Sequence, residues 1–206
     1  MTASETMAAV LLVVGPLLGA VPVAHPRLIP IWSMARDDFV RTVGAHRRAW
    51  AWMNAGFGFA TVLTTAGLAI VAAQDPGSSR AAGLVLALVA YAMGGTLWLT
   101  ALAIRSRTTP ALADLDAPGV DPGPAEVLVG SATSGAFAGY AALTCAALVV
   151  LGVTYLVTGG IGAPVAALIA LEGVGCLVWL LAAGDLIPAV LYLPTLLLGI
   201  ALLAGW

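Results

Sequence analysis

Lysine is missing from this 206-residue chain, and most charge of either sign is missing with it. All eight basic residues are arginine and ten are acidic, so charged side chains make up only 9% of the sequence. An ordinary soluble domain carries roughly 25%. Without lysine, Schiff-base chemistry is excluded, a retinal linkage included. The net charge of −2 argues against the basic face that nucleic acid requires. The two cysteines, Cys145 and Cys176, both lie inside apolar runs, so no disulfide framework is expected. Two histidines, His25 and His46, have no ligand spacing around them, so no metal site and no cofactor is expected. The N-terminal MTASETMAAV lacks a basic n-region, and the first apolar run reads as a retained helix.

What is there is oil. Hydrophobic residues account for 61% of the chain, and the mean hydropathy is +1.04. No soluble domain of this size can bury so much apolar surface, so lipid must be the solvent. Apolar stretches run over residues 7–24, 49–73, 81–104, 126–158, 163–183 and 186–205. Each is close to the ~20 residues that cross a bilayer. The expected fold is therefore all-α: residues 1–206 form a single polytopic bundle of six transmembrane helices. Pro16 and Pro22 kink the first of these, and Pro188 and Pro194 the last. Pro124 and Glu126 suit the start of the fourth, and Gly184–Asp185 reads as a tight junction between the fifth and sixth.

Arginine sets the expected orientation. Arg27, Arg36, Arg41, Arg47 and Arg48 lie in the loop 25–48, and Arg105 and Arg107 lie in the loop 105–125. The other side has only Arg80. Seven against one places those loops in the cytoplasm and both termini outside the cell membrane. The first loop mixes Leu28, Ile31, Trp32 and Phe39 with charge and predicts a short interfacial helix. The second, RSRTTPALADLDAPGVDPGP, is rich in Pro, Gly and Asp and reads as a connector. Neither Asp37-Asp38 nor Asp114-Leu-Asp116 stands in a context that makes it a magnesium motif.

Glu172 is the one charged-type side chain that hydropathy puts deep in the hydrocarbon. A carboxyl there is costly and marks a functional site by default. It shares a helical face with Gly175, Cys176 and Trp179, and that face is expected to point into the bundle. On the second helix Asn54, Gly58, Thr61 and Thr65 form a polar or small stripe; on the fourth, Thr133, Phe137, Tyr140 and Thr144 form another. Gly15 with Gly19, and Ser131 with Gly135 and Gly139, are small-residue stripes for close packing within this bundle or against another chain.

Counting ~1.5 Å per residue from the inner surface gives a depth map. Asn54, Trp98, Trp179 and Tyr192 fall in the inner third, Tyr91, Tyr140 and Glu172 near mid-depth, and Asp185 at the lip. These residues predict an aromatic intramembrane chamber for an apolar ligand with a polar end, isoprenoid- or lipid-like. The layout resembles small polytopic terpene cyclases, which pair membrane-embedded acids with an aromatic pocket. That resemblance implies Glu172 and Asp185 as proton donors, with Trp98, Trp179, Tyr91 and Tyr140 facing a carbocation. Two other readings use the same features. One is a proton- or ion-coupled transporter or channel; the other is a non-catalytic subunit of a membrane complex.

Overall fold

A computed structural model describes residues 2–32, 36–74, 76–115 and 123–205. Asp116 and the rest of 116–122 lie outside the described residues, as do the side chains of Asp37, Pro124 and Glu126. Among the described residues every regular element is helical. The elements are α1 (Ala3–Val23), a 3₁₀ turn (Ile29–Trp32), α2 (Arg36–Ala45), α3 (Arg47–Ala73) and α4 (Ala81–Leu115). They continue with α5 (Gly123–Thr158), α6 (Ala163–Ala183), a second 3₁₀ turn (Pro188–Tyr192) and α7 (Leu193–Ala204).

Backbone in lipid has no water to bond, so an apolar run must satisfy its own N–H and C=O groups, and the helix does so. The threonines follow the same rule. Thr61 donates to Phe57 O (2.9 Å), Thr65 to Thr61 O (2.7 Å) and Thr154 to Val150 O (2.7 Å). Much of the polar stripe on α3 is thus satisfied within α3 itself.

Five helices (α1, α3, α4, α5 and α6) are long and apolar enough to cross a membrane. The sixth apolar stretch is shorter, because Pro188 and Pro194 turn its start into a 3₁₀ turn followed by the 12-residue α7. The outer surface is what a membrane requires. Val157 is 79% exposed and Leu181 78%, in company with many other leucines and valines.

The helices close into a ring in the order α1, α3, α4, α5, α6, α7, with α7 packed back on α1. Backbones approach through glycine. A Cβ at Gly152 of α5 would lie 2.5 Å from Ala170 N of α6, and one at Gly173 of α6 would lie 2.9 Å from Cys145 O of α5. Gly15 and Gly19 of α1 pack on α3 in the same manner, whereas Gly135 faces open space.

One expectation changes at the arginine-rich end. The stretch read as a connector from Arg105 onward is helical as far as Leu115, with Pro110 inside the helix. The lost N–H of Pro110 frees one carbonyl near solvent, and packing of α4 against α5 and α2 holds the turn regardless. At ~1.5 Å per residue, α4 and α5 are each more than 50 Å long and outrun the ~30 Å hydrocarbon layer. Their extensions stand at that end, with α2 laid against α4 and an Arg47–Asp114 ion pair tying the start of α3 to the end of α4. The short helix expected in 25–48 is present as α2.

Candidate functional site

Trp98 of α4 organises the interior below the arginine-rich end. Its ring stacks on Tyr140 of α5, with centroids 5.1 Å apart and planes 9° from parallel. Phe137 of α5 lies at 5.4 Å and Phe57 of α3 at 5.7 Å. From the second 3₁₀ turn, Tyr192 enters the middle of the ring and stacks on Phe57 at 6.3 Å. The polar tips of these rings form one relay. Trp98 Nε1 donates to Tyr192 OH (3.2 Å), which sits 2.8 Å from Thr61 Oγ1, and Thr61 donates to Phe57 O. Trp98, Tyr140 and Tyr192 are each at most 2% exposed. The aromatic chamber foreseen from the sequence is therefore filled by its own walls.

The open space lies one layer farther out. A cavity of about 380 Å³ has Trp98 and Phe137 as its floor, Phe39 and Val40 of α2 as a side wall, and Asp185 at the rim. Arg105 enters it from α4, one helical face with Trp98 and Ala101. The Arg105 guanidinium lies 4.6 Å over the ring of Trp50 and 5.9 Å from that of Trp98. Trp50 Nε1 in turn donates to Arg105 O (3.2 Å), so ring and residue hold each other. Among the described residues no carboxylate pairs with Arg105 and no acceptor bonds its guanidinium. Cation–π contact offsets part of the desolvation but leaves the five N–H donors unused. Thr109 and Ser134 add hydroxyls to the same wall. The arrangement can receive an anion: a fixed positive charge, hydroxyl donors and an aromatic floor on which an apolar chain can lie.

The site residues expected from the sequence separate into groups. Trp98, Tyr140 and Tyr192 come together in the cluster just described. Asn54 is buried a turn away; its Nδ2 donates to Trp50 O (2.7 Å) and its Oδ1 has no partner among the described residues. Tyr91 is buried in a second apolar cluster with Leu84 and Tyr155. Asp185 is exposed and accepts from Leu186 N (2.7 Å). It also borders a shallow outer groove with Trp179.

The face of α6 corrects the expectation most. Trp179 is 63% exposed and Gly175 is exposed too, so they look outward rather than into a chamber. The buried stripe is Ala166, Ile169, Gly173, Cys176 and Leu180, because Gly173 is where α5 comes closest. Glu172, one position before Gly173, sits at the edge of that stripe and is half-buried. Its Oε1 is turned inward without a partner among the described residues. Thirteen positions separate it from Asp185, ~20 Å along a helix, and it does not line the Arg105 cavity.

Arg105, Trp50 and Phe137 were not foreseen as site residues. The signal for Arg105 was present: it stands seven residues after Trp98, on the same helical face. Reading residues 105–125 as a loop hid that spacing.

A ring of apolar helices with lipid-facing leucine and valine makes this a multi-pass helical membrane protein. Compared with protein-family models, curated proteins and solved structures, the chain matches none.

Proposed function

We propose that the protein binds an amphipathic ligand in the Arg105 cavity, with an isoprenoid- or lipid-like tail and an anionic head. The observation that carries this reading is an arginine held over Trp50, without a carboxylate partner among the described residues, at the mouth of a cavity floored by Trp98 and Phe137. An unpaired guanidinium in such a setting costs desolvation energy that a bound phosphate or carboxylate would recover. In this reading Pro188–Ala204 forms a sixth crossing: five residues of 3₁₀ turn and twelve of α-helix together reach ~28 Å. The arginine-rich end then faces the cytoplasm and both termini lie outside.

The catalytic form of the proposal is an acid-initiated cyclase. A carboxylic acid would protonate an alkene in the tail while the π face of Trp98 stabilises the cation. Asp185 is the acid that lines the cavity, and Glu172, ~20 Å away along the chain, lies outside it. A proton- or ion-coupled transporter is the other reading, favoured by the inward oxygens of Glu172 and Asn54, which have no partner among the described residues.

The test compares a prenyl monophosphate with the matching prenol on protein reconstituted in nanodiscs. The phosphate is expected to bind at least about tenfold more tightly, the worth of a charge-assisted hydrogen bond. Arg105→Gln should erase that preference and leave prenol binding unchanged, while Arg105→Lys should keep part of it. Equal binding of the two probes to the unmodified protein would sink the reading. Proton flux into liposomes that Glu172→Gln abolishes would favour the transporter instead.

A further inference from the structure

On the outside of the bundle at the same end, α1, the end of α2 and the start of α3 enclose a groove of about 870 Å³. Its floor is apolar: Leu18 and Val21 from α1, and Trp52 and Phe59 from α3. Trp52 is 75% exposed and Phe59 63%, about two helical turns apart on a face that no other helix covers among the described residues. Between them Ala55 and Gly56 leave a trough. The rim is cationic, with Arg27 and Arg48. Among the described residues neither of these guanidinium groups has an ion pair or hydrogen bond, whereas their neighbour Arg47 is held by Asp114. Helix α2 separates the groove from the Arg105 cavity, since Phe39 and Val40 border the cavity while Gly44 and Ala45 border the groove.

The two halves of the groove ask for different chemistry at different depths. Leu18, Phe59 and the trough lie along the spanning parts of α1 and α3, where acyl chains are the solvent. Trp52, Arg27 and Arg48 lie toward the helix ends, the level of the headgroups, where Trp and Arg are favoured. Charge complementarity chooses among the bilayer's lipids. We infer that this groove seats an anionic phospholipid, its phosphodiester held by Arg27 and Arg48 and one acyl chain lying in the Ala55–Gly56 trough between Trp52 and Phe59. The site is distinct from the Arg105 cavity and stands whether or not that cavity binds a ligand.

Native mass spectrometry of protein released from nanodiscs of equal phosphatidylglycerol and phosphatidylcholine tests this. The unmodified protein should retain phosphatidylglycerol in preference. Arg27→Gln with Arg48→Gln should lower the retained ratio about thirtyfold, as two arginines near an anionic headgroup predict. Arg107→Gln removes an exposed arginine at the same end but outside the groove, and should leave the ratio unchanged. Ala55→Phe fills the trough with the charges intact and should lower retention of both lipids. The loss caused by Arg27→Gln with Arg48→Gln should be just as large in an Arg105→Gln background, which separates this site from the cavity. The proposal is overturned if the unmodified protein retains the two lipids equally, if Arg107→Gln matches the double variant, or if Ala55→Phe changes nothing.

Discussion

The α5–α6 interface and the outer half of the α4–α5 interface are built from the same helix, and they could hardly differ more. Along α6, Gly152 and Gly173 bring backbone within reach of backbone, and no room is left between the helices. Along α4, the same α5 meets Trp98 through the rings of Phe137 and Tyr140, so that side chains rather than backbone make the contact at that level. Next to the aromatic layer a cavity of about 380 Å³ opens, and Gly135 of α5 faces nothing at all. What meets at a helix interface, backbone at glycine or ring against ring, thus changes from one side of the same helix to the other. In lipid this matters more than in water, because packing rather than the hydrophobic effect holds the helices together.

That contrast can be broken at its strongest point first. Trp98→Ala removes the ring on which Tyr140, Phe137 and Phe57 pack, and should cost about 3–5 kcal/mol, seen as an early unfolding midpoint in detergent. Gly152→Leu forces a side chain against the α6 backbone and should cost at least about 3 kcal/mol by the same measurement. Its matched control is Gly135→Leu, which meets open space and should be neutral or stabilising by about 0.5–1 kcal/mol through helix propensity. Equal losses for the two glycine variants would mean that close approach to α6 is not what makes Gly152 costly to replace. Tyr192→Phe keeps the stacking on Phe57 but leaves the Trp98 N–H without its acceptor, for about 1–2 kcal/mol. The smallest effect belongs to Asp114→Asn. That exposed pair with Arg47 should leave the midpoint within error, because solvent screens it.

The candidate site was partly legible. Trp98, Tyr140 and Tyr192 were found by depth alone, since three aromatics below the headgroup level need an interior to fill. Arg105 was missed because Pro, Gly and Asp after it look like a linker, and only packing against α5 and α2 carries the helix through Pro110. Trp179 was assigned to the interior because helical spacing links it to Glu172, whose carboxyl is costly against lipid. Spacing gives angles between residues on one helix, however, and not how that helix is turned toward its neighbours.

That distinction runs through the whole molecule. Composition and hydropathy by themselves determined that the chain is helical and belongs in lipid, and they located its apolar helices, because unsatisfied backbone and charge are too costly in hydrocarbon to leave choice. Only tertiary structure decided which face of each helix looks inward, how far α4 continues, and that a cavity opens beside Arg105. The reason is physical. Lipid tails are as apolar as the bundle's own core, so an apolar side chain carries no mark of inside or outside until a glycine, an aromatic ring or an arginine on the next helix supplies one.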